Sequence, residues 1–117
     1  VSYRGQLSIH SLRTDRVHPG RFATWSECRA YFNRFADDRK TVFEYGRQMS
    51  KGDAVEPIRL AVARDSGAVF VDDGQHRVLA AMDVRIPWLH YRWVWLGSRT
   101  TQNVPLPFEV TEMVNDY

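Results

Sequence analysis

A chain of 117 residues, 44% hydrophobic and 26% charged, has the size and composition of one globular domain, which excludes a collagen-like, low-complexity or wholly disordered polypeptide. Its single cysteine, Cys28, excludes an internal disulfide framework and a Cys-based zinc site, and no apolar run approaches the roughly 20 residues that span a bilayer, so a cytoplasmic domain away from the membrane is expected. The net charge of +2 hides an asymmetry: residues 1–52 carry ten Arg/Lys against five Asp/Glu and residues 53–117 six against nine, so the basic front half suits a polyanionic partner.

In chain order, Tyr3–Leu12 is expected to be a half-buried strand, because Leu7 and Ile9 alternate with polar neighbours. His18-Pro19-Gly20 reads as a turn. Thr24 and Glu27 have the spacing of a capping box, after which Trp25, Cys28, Phe32 and Phe35 follow one helical face that Val42 and Met49 continue. Arg29, Arg34, Arg39, Lys40 and Arg47 lie largely off that stripe. The pattern fits one long amphipathic helix, or two broken near Asp37–Lys40.

From Pro57 the period changes. Ile58, Leu60 and Val62 alternate as in a strand, Asp65-Ser66-Gly67 is turn chemistry, and Ala68–Val71 is a short buried strand, together a hairpin. Val78–Met82 fits a short helix. Trp88–Leu96 is an aromatic-rich strand placing Leu89, Tyr91, Trp93 and Trp95 on one face, read as core in preference to a base-stacking surface. The tail, with Pro105 and Pro107, carries no clear element. The order predicts a single α+β domain over 1–117: a small mixed sheet, a long amphipathic helix and a short one.

The stretch richest in chemistry is Asp72-Asp73-Gly74-Gln75-His76-Arg77, where a strand delivers two carboxylates, a glycine and three hydrogen-bonding side chains to the start of a helix. Gly74 permits close backbone approach, and the free N–H groups of a helix start attract anions. Arg77 can hold phosphate oxygens in a fork, and His76 can donate to them or move a proton. Asp72 or Asp73 could hold a metal ion or act as a general base. The same residues also make an ordinary turn, with Asp73 as N-cap and an Asp–Arg pair across one helical turn. His10, His18, His76 and His90 lack metal-ligand spacing, and no Gly-x-x-x-x-Gly-Lys-Ser/Thr loop is present.

Glu56-Pro57-Ile58 leading into a hairpin, then Asp73-Gly74-Gln75-His76-Arg77, Ala80-Ala81, and Ile86-Pro87 before a closing strand, resembles the ParB/sulfiredoxin-like superfamily. The likeness covers about residues 54–95. It implies that Gly74, Gln75, His76 and Arg77 cradle the phosphates of a nucleotide, CTP or ATP; the carboxylate chemistry adds phosphate-bound Mg²⁺ at Asp72 as an expected companion. It further implies that Asp73 orders the loop or serves catalysis; in an enzyme, His76 would assist and Glu56 could enter the same site from the neighbouring strand. Gln75 stands where sulfiredoxins carry their reactive cysteine, so thiol chemistry is not expected. The length holds the superfamily's nucleotide-binding core but not the helix-turn-helix and dimerisation regions of a full ParB.

Three functions follow as expectations. The first is a nucleotide-phosphate-binding domain acting on or with DNA, using Arg29, Arg34, Arg39 and Lys40 toward nucleic acid. The second is a phosphotransferase or nuclease built on Asp73 and His76. The third is a non-catalytic interaction or inhibitor protein of a phage or mobile element, directed at a host protein. Under the first, Arg77→Ala is expected to abolish nucleotide binding with little effect on melting.

Overall fold

The computed structural model describes residues 2–13, 17–63, 66–96 and 112–114. The chain runs β1 (Ser2–Ser8), α1 (Ile9–Arg13), α2 (Trp25–Asn33), α3 (Ala36–Ser50), β2 (Ile58–Ala63), β3 (Val69–Asp73), α4 (Gln75–Val84), β4 (Trp88–Leu96) and β5 (Glu112–Val114). This is the expected α+β domain. The strands form one mixed sheet in the order β3-β2-β4-β1-β5. β2 and β4 are parallel, with Leu60 opposite Trp93, and the other neighbours are antiparallel, with Leu7 opposite Leu89. Because β2 and β4 run the same way, the chain must cross over between them, and α4 makes that crossing.

The hairpin lies where the alternation places it. Ile58, Leu60 and Val62 are fully buried, and Ala61 is buried from the other face, as suits a strand flanked on both sides. Leu89, Tyr91 and Trp93 of β4 belong to the same core, so Trp93 is packing and not a base platform. The side chain of Trp95 and the proline-containing tail lie outside the described residues.

Two expectations change. The first strand ends at Ser8, and Ile9–Arg13 turn into a helix that buries Ile9 and Leu12 on one side. The long helix is two, and the break falls at Arg34–Phe35 instead of Asp37–Lys40. Phe35 is extended (φ −119°, ψ 129°) and starts α3, whose first turn carries Asp37 and Asp38 at the positive end of the helix dipole. Phe35 itself is 43% exposed, so the apolar stripe is interrupted there. The cap of α2 forms as expected on the Thr24 side: its hydroxyl accepts from the Glu27 N–H at 3.1 Å, while the Glu27 carboxylate reaches back to the Ala23 N–H.

α3 lies on α4, with Gly46 at the crossing. A β-carbon there would stand 3.1 Å from a methyl of Val84. α4 is thereby enclosed, with Val78, Leu79, Ala80 and Ala81 all buried. The outer edge of β3 is also covered: the His18 N–H donates to Val69 O (2.9 Å) and the Val71 N–H to His18 O (2.8 Å), so Val17–Pro19 acts as a short extra parallel strand. The Trp25 indole fixes that segment by donating to Val17 O at 2.9 Å.

Candidate functional site

β3 hands the chain to α4 through a bulge and a glycine. Arg59 faces Asp73 but Leu60 faces Val71, so Asp72 is the extra residue, a distortion that re-aims side chains. Gly74 then adopts φ 117°, a conformation that L-residues avoid. A β-carbon on it would lie 2.8 Å from Ile58 Cγ2. Glycine is therefore demanded twice over, by the torsion and by the neighbouring strand.

The next three side chains leave in three directions. Gln75 Nε2 donates to Val71 O at 3.0 Å and Pro19 O at 3.4 Å, tying the 17–20 segment to β3. His76 stacks on Phe32 of α2 and places Nε2 2.9 Å from Asp38 Oδ1 of α3. Arg77 is 5% exposed; its Nη1 donates to both Glu56 O and Pro57 O at 2.8 Å, and its Nη2 to Asp73 Oδ2 at 3.3 Å. Its guanidinium also sits 5.8 Å from the centre of the Tyr45 ring. The turn thus locks the loop before α2, the α2–α3 pair and the start of β2 onto one helix end.

The expected site residues consequently fall into separate groups. Asp73, Arg77 and the backbone of Glu56 meet. His76 does not join them; its partners are Asp38 and Phe32. Asp72 is exposed, and among the described residues no group of three or more His, Cys, Asp or Glu is gathered to hold a metal ion. Of the basic residues, Arg29 is paired with Asp83 at 2.8 Å, whereas Arg34, Arg39 and Lys40 are exposed.

Sequence reasoning missed a cavity of about 580 Å³ beside the turn. His18, Gly20, Arg21, Phe22, Phe32, Phe70, Val71, Asp72 and Gln75 line it. Gly20 is required here, since a β-carbon would meet Val71 O at 2.8 Å and Gln75 Nε2 at 2.9 Å. Arg21 lies over the rings of Phe22 and Tyr31, 5.1 and 5.0 Å from their centres, which holds a cation at the cavity wall. Two expected site residues, Asp72 and Gln75, reach its wall, but the other side of it, the His18–Phe22 segment, carries no motif in the sequence. On α2, Cys28 is fully buried, and burial pushes its thiol up to about 11 against the opposing pull of Arg21 and Arg29. A protonated, enclosed thiol is a packing group.

No helix among the described residues is long and apolar enough to cross a membrane. Comparison of the chain with protein-family models, with curated proteins and with solved structures found no match.

Proposed function

We propose that the domain is a cytoplasmic nucleotide-phosphate-binding module of the ParB-like kind that works with DNA, its ligand seated in the cavity beside the β3–α4 turn. The observation that carries the reading is the make-up of that cavity: one arginine, aromatic walls from Phe22, Phe32 and Phe70, and the Asp72 and Gln75 side chains at the mouth of a helix. Its volume of about 580 Å³ is of the order of small-ligand sites, which run to roughly 300–1,000 Å³. The start of α4 favours negative charge, Arg21 supplies a forked donor, and the rings offer faces for a base. Arg77 enters this reading as the group that positions the turn, and Mg²⁺ as a companion of the phosphates near Asp72.

Calorimetric titration with CTP, ATP and their diphosphates, with and without Mg²⁺, tests it. Binding that Arg21→Ala weakens at least tenfold at unchanged melting temperature supports the proposal. Folded protein that binds none of the four overturns it.

A second reading, phosphoryl transfer or phosphodiester cleavage, draws on the His76–Asp38 pair. A carboxylate that orients an imidazole is the usual arrangement of a general base, and the His76 side chain is 30% exposed. Turnover of ATP or of DNA with Mg²⁺ that His76→Gln removes would favour it.

A further inference from the structure

The outward face of α3 is a surface feature that neither the core nor the cavity uses. Phe43 is 69% exposed, the most exposed large hydrophobic side chain among the described residues. At 3.6 residues per turn, Arg39, Lys40 and Arg47 project within about 60° of Phe43 around the helix, while Asp37, Asp38 and Glu44 lie about 100° or more away. Ala36 and Ser50 lie on this face too, these six residues are all exposed, and buried Gly46 marks the edge where α3 meets α4. Arg39 stands one turn before Phe43 and Arg47 one turn after it, about 6 Å to each side along the axis. Arg39 is held in place by donating to Asn33 O, a neutral carbonyl that leaves its charge unspent. Arg47 shares the Glu44 carboxylate at 2.9 Å, so Arg39 and Lys40 carry most of the free charge. At the N-terminal end, Arg34 and half-exposed Phe35 extend the surface, with the guanidinium 5.8 Å from the ring centre.

A surface on which exposed Phe43 and half-exposed Phe35 are each flanked by cations is poorly suited to a hydrophobic protein partner. It suits a strand with unpaired bases: the cations meet successive phosphates, and the Phe43 ring takes a base that a duplex would keep stacked internally. We infer that the α3 face, through Phe43 flanked by Arg39, Lys40 and Arg47, binds single-stranded nucleic acid. The inference rests on the part of the proposed function that places DNA among the partners, but it uses a surface separate from the cavity.

Fluorescence anisotropy with a labelled oligothymidylate of about 12 nucleotides, and with a duplex of equal length, reads this directly. The single strand should bind more tightly than the duplex, with an affinity that falls as salt rises. Phe43→Ala should weaken strand binding roughly tenfold, Phe43→Trp should restore it, and Arg39→Glu with Lys40→Glu should abolish it, all at unchanged melting temperature. Equal binding of strand and duplex, or no effect of Phe43→Ala, overturns the inference. So does a face that binds polyglutamate through Lys40 and Phe43 but no oligonucleotide, which would assign it to an acidic protein. Nucleotide titration of Phe43→Ala separates the two proposals: intact nucleotide binding beside lost strand binding supports two independent sites, and intact strand binding in a protein that binds no nucleotide sinks only the cavity reading.

Discussion

The imidazole of His76 lies flat on the ring of Phe32, their centres 4.3 Å apart and their planes within 10°. Its Nε2 meets Asp38 Oδ1, so one side chain at the start of α4 joins α2 to α3 across the helix break at Phe35. Both members of the polar pair are about 30% exposed, in the range where ion pairs are screened by water. A double-mutant cycle with His76→Gln and Asp38→Asn, read by urea unfolding, should give a coupling of about 0.5–1 kcal/mol. A coupling near zero would mean that the stack alone orients the ring.

Arg77 carries a structural load that the expectation of an unchanged melting temperature overlooked. Removing its buried side chain leaves the carbonyls of Glu56 and Pro57 without their donor and opens space beside Tyr45. Arg77→Ala should destabilise the domain by about 2–4 kcal/mol, with a melting temperature lower by on the order of 10 °C. Arg77→Lys should recover only part of this, since an ammonium lacks the flat fork that meets both carbonyls and Asp73. Thermal unfolding of the two variants checks the order.

The glycines give a graded series. Gly74→Ala and Gly20→Ala each force a positive φ on alanine and drive a methyl to 2.8 Å from its neighbour, Ile58 Cγ2 or Val71 O. Gly52→Ala incurs the φ cost alone, because nothing stands within 4 Å. Denaturant midpoints should place Gly52→Ala at about 1 kcal/mol of destabilisation and the other two well beyond it. A Gly74→Ala variant as stable as Gly52→Ala would show that Ile58 gives way at no cost.

Cys28 links stability to alkaline pH. Folding raises its thiol to about 11 from an ordinary value of 9.0, so between those values the native state keeps a proton that the unfolded state has released. Stability is then full below pH 9 and falls as pH rises toward 11. Burial also raises the Tyr91 hydroxyl above 10.0, which adds a loss of the same sign at the upper end of this window. Urea unfolding between pH 8 and 11 should show a shallower decline in Cys28→Ala than in wild type, with the Tyr91 part remaining. Iodoacetamide at pH 8 should modify the unfolded chain far faster than the native one.

Much of the sheet is legible in the sequence because one period dominates each strand. Leu89, Tyr91 and Trp93 alternate with nothing at helical spacing to compete, and the bounds of β4 fall at Trp88 and Leu96 as expected. At Leu7–Leu12 two periods overlap: Leu7 and Ile9 fit a strand, Ile9 and Leu12 fit a helical turn, and the chain changes from one to the other at Ile9. The break at Phe35 involves no glycine or proline, so no local signal marks it. The candidate site was legible as a segment and not as an arrangement. Consecutive residues in the first turn of a helix point about 100° apart, so Gln75, His76 and Arg77 diverge, although their types suggest a common target. Burial of Arg77 runs against the usual exposure of arginine and depends on where the carbonyls of Glu56 and Pro57 fall in space.

The parallel pairing of β2 with β4 also sets an order of assembly during synthesis. β4 lies between β1 and β2, so β1 has no strand to pair with on that side until β4 has been made. Leu7 therefore waits for Leu89, and at about 5–20 residues per second the ribosome takes several seconds to supply it. The hairpin and α4 are complete before then. The nascent chain should gather first around α4, with β4 closing the sheet as the last large piece and joining β1 to the elements already folded.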